Sequence, residues 1–340
     1  MPAHPMPPRR ASGRLSTGRF GVGPSRRDLL MLAAAAPALA LPAGPARASL
    51  EAPAAGNPAH FSFTVGDVTA TIVSDGYFEI PASGLGVNAD PQEVQAFLAA
   101  HYLPVDQTYS HTNHLLIEKG ADRILVDVGS GHRFFDTAGR LVANLAALGL
   151  SPEDITHVVI THAHPDHIWG IRDEFDEPLF PEAQSFMGEV EHGYWLSDGL
   201  VDRVAPAEQQ FVVGAINAIQ AEGVDWTLLN DGDEVVPGVS VIATPGHTPG
   251  HLSVRLSDGD DSLIALGDSM THGWISFARP DWYHSVDVDG PQAAASRRRL
   301  LDMAASDGIA VLGYHFPFPG VGHVMAEGDA YRFVPALWKF

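Results

Sequence analysis

The apolar run 157–161 leads straight into His162-Ala163-His164-Pro165-Asp166-His167, and no other feature of the chain limits its fold so sharply. His162, His164, Asp166 and His167 are four potential ligands within six residues. They cannot all be buried as neutral core groups, because every unpaired polar atom taken out of water costs free energy. A strand that ends in a tight loop, however, can aim alternate side chains at one point from several directions. Neutral imidazole and carboxylate together suit zinc and other first-row divalent cations. An H-x-H pair alone reads as a solvated polar loop; the complete H-x-H-x-D-H pattern behind a strand reads as a metal site.

Three further elements match this cluster. Thr244-Pro245-Gly246-His247-Thr248-Pro249-Gly250-His251 follows a strand-like run, and its glycines and prolines fix a loop that aims a histidine. Ala265-Leu266-Gly267-Asp268 ends another apolar run with an acid, and Gly313-Tyr314-His315 ends a third with a histidine. With the cluster they bring five histidines and two aspartates to strand ends, where one edge of a sheet sandwich would collect them. His251, four residues after His247, is read as supporting its loop rather than as a ligand.

The rest of the chain mixes strands and helices, which predicts layered α/β architecture. Phe61, Phe63 and Val65 alternate, and the strand 69–73 is expected to end at a turn, Asp75-Gly76. Asp90 and Pro91 open a helix to Leu103, a second helix is expected over Phe134–Leu148 ahead of Gly149, and Ser151-Pro152-Glu153-Asp154 opens a brief turn. Strands at 114–118 and 123–128 precede the cluster. Helices over 190–196, 206–221 and 292–305 follow it, with strands at 226–229, 239–243, 252–256, 262–266 and 309–313.

Residues 1–48 read as an export signal: a basic region, Ser25-Arg26-Arg27 before a short apolar run from Leu29, and Ala46-Arg47-Ala48 as a cleavage site. The paired arginines point to the twin-arginine type. A membrane anchor is the alternative, but the run is shorter than the ~20 residues a bilayer needs and contains Pro37 and Pro42. Residues 49–60 are a flexible leader, 61–340 form one domain, and the expected location is periplasmic or secreted. Cysteine is absent, so any metal must be held by imidazole and carboxylate. The signal carries seven arginines and one acid, so its loss takes the net charge from −21 to −27. Such a surface repels nucleic acid and anionic lipid.

The four motifs together resemble the metallo-β-lactamase superfamily over essentially the whole mature chain. The resemblance implies a four-layer αββα sandwich with two divalent metals, zinc first, with manganese, cobalt or iron as alternatives. It implies that His162, His164 and His247 hold one metal and Asp166, His167 and His315 the other, with Asp268 bridging. Asp166 and Asp268 are then expected to serve the chemistry as well as the metals. Asp127, in Leu125-Val126-Asp127-Val128-Gly129, falls where the family places an acid beneath the site, to orient a ligand imidazole. A hydroxide shared by the two metals would be the nucleophile, which needs neither serine nor cysteine. Members that hydrolyse β-lactams commonly have cysteine where this chain has Asp268, so ester-type hydrolysis is favoured over antibiotic hydrolysis. A homodimer is the association state that relatives suggest.

Within the superfamily, 316–323, 326–328, 331–335, Ser74-Asp75-Gly76 and Gly139–Leu145 are similar to the methyl parathion hydrolase group. That likeness implies an aryl phosphotriester or aryl ester as substrate, with Phe134, Trp195 and Phe211 lining a leaving-group pocket; ordinary core packing is the alternative for each ring. The second enzyme reading is a lactonase of the acyl-homoserine-lactone type. Many such enzymes carry a tyrosine three residues after the bridging aspartate, where this chain has Thr271, which tilts the reading towards aryl leaving groups. The neighbouring His272 offers an acid instead. A reading from another class is an exported metal-binding protein without catalysis, although a ligand set with room for water and substrate argues against storage.

Overall fold

The computed structural model describes residues 58–337. The expected export signal (1–48) and nearly all of the leader lie outside them; His60, at the leader's end, already belongs to the first strand. No helix among the described residues is long and apolar enough to cross a membrane.

The described part of the chain builds two seven-stranded sheets, one from each half of its length. The first contains β1 (His60–Val65), β2 (Val68–Pro81), β3 (Gln107–Lys119), β4 (Asp122–Val126), β5 (His157–Ile160), β6 (Gln184–Gly188) and β7 (Trp226–Leu229), in that order. β1 to β4 are antiparallel neighbours, and β4 to β7 run parallel. Helices α1 (Pro91–Ala100), α2 (Leu141–Ala147), α3 (Pro165–Ile168), α4 (Glu189–Trp195), α5 (Leu200–Arg203) and α6 (Gln209–Ile219) connect them. The second sheet contains β8 (Glu234–Val236), β9 (Val239–Ala243), β10 (Leu252–Asp258), β11 (Asp261–Ala265), β12 (Ala310–Leu312), β13 (Val321–Glu327) and β14 (Ala330–Pro335), with α7 (Ile275–Ala278) and α8 (Gly290–Asp307) between strands.

Alternation along the strands makes the layers. On β3 to β5, Leu115, Ile124, Val126 and Val159 face Val241, Val254, Leu263 and Ala265 of the other sheet across a continuous apolar interior. Their neighbours Leu116, Leu125, Val158 and Ile160 point the other way and pack on Leu145 of α2 and on Val212, Ala215 and Ile219 of α6. On the second sheet Ile264 and Val311 turn outward onto Leu300, Leu301 and Ala304 of α8. The order is helix, sheet, sheet, helix, as expected for the family.

Three expectations are corrected. The strand expected to stop at Asp75-Gly76 runs on to Pro81 through a bulge, because Asp75 is a buried acceptor: its carboxylate takes the N–H groups of Leu141 at 2.7 Å and Gly139 at 3.1 Å. Gly76 has φ +123, and a Cβ there would stand 2.1 Å from the Thr137 carbonyl oxygen. The helix expected over 134–148 is confined to α2, since Gly139 at φ +77 breaks the chain before it. Strands β6, β8, β13 and β14 and the helical turns α3, α5 and α7 were not anticipated. They are short, and their burial depends on neighbours distant in sequence.

Candidate metal centre

β9 and β11 are both antiparallel to β10, and β12 runs parallel to β11, so the C-terminal ends of β9, β11 and β12 open at one edge. The end of β5 delivers the H-x-H-x-D-H segment beside them. That segment is not a plain loop: His164 stands at the N-cap of α3, and Pro165, at its first position, has no N–H of its own to leave unpaired. One helical turn swings Asp166 and His167 back towards His162. In the second sheet, Gly246 at φ +134 and Gly267 at φ +52 allow the two loops to approach; a Cβ at 246 would meet the Ala293 nitrogen at 2.0 Å.

The seven anticipated residues come together. His164 Nδ1 lies 3.0 Å from His162 Nε2 and 2.9 Å from His247 Nε2. His167 Nε2 and His315 Nε2 each lie 3.4 Å from Asp166 Oδ2. Asp268 stands between the two sets: Oδ1 is 3.4 Å from His167 Nε2, while Oδ2 is 3.3 Å from His247 Nε2 and 3.1 Å from His315 Nε2. Three overlapping triads, 162/164/247, 162/167/268 and 166/167/315, each gather ligand atoms within 4.8 Å. Asp166 Oδ2, His167 Nε2 and Asp268 Oδ1 are buried and have no hydrogen-bond partner. Such orphans are rare in native proteins, and here they share one focus, so the donor set fits two divalent cations.

The far sides of the rings are held. Asp127, in the left-handed region at φ 60, accepts from His167 Nδ1 at 2.7 Å and from the Thr161 N–H at 2.8 Å. Strain of that kind is seen where a site over-determines the backbone. His315 Nδ1 donates to the His111 carbonyl at 2.8 Å. His251 takes the Asp268 N–H on Nε2 at 2.9 Å, with Nδ1 held by Thr244, so it positions the bridging acid. Tyr314, not anticipated, stacks on His167 at 4.0 Å and donates to the Asp166 carbonyl at 2.6 Å.

Glu191 of α4 was also missed. Its buried carboxylate accepts from the Ala163 N–H at 3.0 Å, the Gly250 N–H at 3.1 Å, the Thr248 hydroxyl at 2.7 Å and the Trp195 indole at 2.6 Å. It therefore ties the H-x-H loop to the G-H-T-P-G-H loop. Burial pushes its carboxyl pKa up, yet four donors face it, and they suit the ionised form. In sequence it looks like one of two solvated acids at a helix start.

Electrostatics at the focus favour cations. Burial and the neighbouring His247 hold His164 at about 3, and burial with His167 and His164 holds His162 well below its usual range, so both are neutral donors. Burial opposes charge on Asp268 too, but His315, His167 and His247 outweigh it and hold the carboxyl well down. Burial likewise opposes charge on His167 and His315, and there the adjacent aspartates win and raise both. Raised imidazole pKa values mean that protons occupy these two ligands increasingly as pH falls. Metal must displace them. Titration calorimetry in buffers of different ionisation heat should therefore show on the order of one to two protons released per pair of metals bound, and affinity falling with pH. Uptake without proton release would contradict the assignment.

Beside His164 opens a cleft of about 450 Å³, lined by Trp195, Leu200, Phe211, Val286 and Val288 among others. Trp195 and Phe211 are thus at the cleft. Phe134 is not in its lining; it meets Phe211 edge-on at 6.2 Å and belongs to an aromatic belt that reaches His315 through Phe78, at 5.7 and 5.4 Å. Thr271 and His272 lie outside the cleft lining. The acid expected at His272 is corrected: its Nδ1 accepts the Trp274 and Ile275 N–H groups, both at 3.2 Å, and burial lowers its pKa to about 4.

Fold and site define a class, a two-cation centre at the edge of an αββα sandwich. The profile of the Metallo-beta-lactamase superfamily matches residues 108–314, and the chain belongs to that superfamily. It is 26% identical over 168 residues to an N-acyl homoserine lactonase of Bacillus cereus, covering 49% of this chain and 58% of that one. It is 29% identical over 180 residues to a probable metallo-hydrolase of Mycobacterium tuberculosis, covering 46% and 56%. The chain thus spans less than two thirds of the length of these curated relatives. Among solved structures it is similar to AidC, a dizinc quorum-quenching lactonase (TM-score 0.78, 25% identity, 83% of this chain and 98% of that one). It is also similar to the hydrolase AbOPH of the beta lactamase superfamily (TM-score 0.76, 28% identity, 84% and 99%).

Proposed function

We propose that this chain is a dinuclear-metal hydrolase that opens the ester of a lactone of the N-acyl homoserine class. The carrying observation is the orphaned focus around Asp268, which adjoins through His164 a cleft of mixed lining, apolar along Trp195, Leu200, Phe211, Val286 and Val288 and charged at Arg203 and Glu208. Likeness to lactonases supports lactones ahead of the aryl phosphotriester that residue-level resemblance put first. His162, His164 and His247 would hold one cation and Asp166, His167 and His315 the other, with Asp268 shared; zinc is the proposed metal. When bound, the pair supplies acidified water as a nucleophile and polarises the ester carbonyl. The protein's own part is to hold the ligand rings in one tautomer, to bury the focus, and to seat the acyl chain along Leu200, Val286 and Val288. Export through the signal in residues 1–48 belongs to the same proposal.

An aryl ester or phosphotriester remains the second reading, favoured by the Phe78–Phe134–Phe211 belt and by Thr271 in place of a tyrosine. Zinc-loaded protein assayed on homoserine lactones of increasing acyl length, an aryl ester and an aryl phosphotriester separates the two. Lactones should turn over fastest. Each added methylene should lower KM by up to roughly fourfold, since burying one is worth ~0.8 kcal/mol. Faster turnover of the phosphotriester than of every lactone would reverse the order. No turnover with two zinc ions bound would favour a metal-binding protein.

A further inference from the structure

The two halves of the centre are backed differently. On one side Asp127 orients His167, an acid legible in the sequence. On the other, His247 Nδ1 lies 3.0 Å from Asp287 Oδ1, in a segment 285–288 that also walls the cleft. His247 Nε2 faces the focus, so Nδ1 must be the ring N–H, and the Asp287 carboxylate is its acceptor. Backing of this kind fixes the tautomer and raises the basicity of a ligand imidazole.

Asp287 is itself fixed. Its second oxygen accepts the His284 N–H at 2.8 Å and stands 3.8 Å from Arg297 Nη2. Arg297, on α8, is among the largest fully buried side chains. Its Nε donates to the Ser269 carbonyl at 3.0 Å, and Nη1 donates to the carbonyls of Pro280 at 2.8 Å and Trp282 at 2.7 Å. One guanidinium therefore braces both the carboxylate behind His247 and the turn that carries Asp268. The backbone adds register: the Val288 N–H donates to the His247 carbonyl at 3.0 Å and the Asp289 N–H to the Gly246 carbonyl at 2.9 Å. A buried arginine is hard to explain as packing alone, because its charge must be matched.

We propose that Asp287, held by Arg297, is a positioning residue for the His162–His164–His247 half of the centre, the counterpart of Asp127 in the other half. The proposal rests on the two-cation reading given above. It makes the two halves separable by mutation.

The test is Asp287→Asn. One amide oxygen cannot serve both the His284 N–H and His247 Nδ1, and the amide nitrogen brings a donor against a donor. Zinc bound to full-length protein is measured at stepped, chelator-buffered free concentrations, beside thermal melting of the metal-stripped protein. One of the two equivalents should require about 10- to 100-fold more free zinc and the other should bind as before. The stripped protein should still unfold in one cooperative step, at a lower temperature because Arg297 loses its counter-charge. Asp287→Glu keeps an ionised acceptor and should recover part of the loss. Two equivalents bound at parental affinity, or equal loss in both variants, would overturn the proposal. So would a weakened stripped fold with both sites weakened alike. Failure of the parent protein to bind two equivalents would instead overturn the two-cation reading.

Discussion

Asp268→Asn should lower kcat/KM by roughly 10³-fold or more at saturating zinc, with the fold retained. Among the described residues Asp268 is the only acid whose two oxygens reach both histidine sets, and its Oδ1 has no other partner. Electrostatic help from a bound cation is worth several kcal/mol, and each 1.4 kcal/mol or so is a factor of ten in rate. Asparagine keeps the shape and one oxygen but loses the charge that holds two cations together. The fold should survive because the main-chain bond to His251 does not involve the side chain. Steady-state kinetics with metal content and circular dichroism measured on the same sample decide the matter. Turnover within tenfold of the parent would remove Asp268 from the centre.

Glu191→Ala should unfold the protein more easily, by about 3 to 5 kcal/mol, because four donors are stranded at once, each costing ~1–3 kcal/mol and not adding fully. At roughly 2–4 °C per kcal/mol, melting should fall by about 6 to 20 °C. Activity should fall as well, since the two loops that Glu191 joins carry His162, His164 and His247. A variant that melts within two or three degrees of the parent would show that water replaces the carboxylate, and that the loops need no such tie.

The ligands were legible because a metal site must be built from particular residue types, and in this chain each ligand follows a strand whose apolar run is visible. Asp127, one residue past β4, was legible only through the family resemblance, which places an acid at that position. Asp287 and Glu191 were not. Both sit among other acids, in Asp287-Val288-Asp289 and Glu189-Val190-Glu191, and only the packing of α4 and α8 distinguishes the acid with a buried side chain from the solvated ones. His272 misled because a histidine beside a candidate pocket looks titratable, whereas the start of α7 uses it as an acceptor. The bulge at Asp75-Gly76 was hidden by composition: the same dipeptide makes a turn wherever the aspartate stays in water.

β7 ends at Leu229 and β8 begins at Glu234, so the chain finishes one sheet before it starts the other. The four ligands 162, 164, 166 and 167 precede that crossing and 247, 268 and 315 follow it. A pair of cations at their focus is thus a rivet through the seam between two halves of the polypeptide. Starving the protein of metal should loosen that seam before it disturbs the strands of either half.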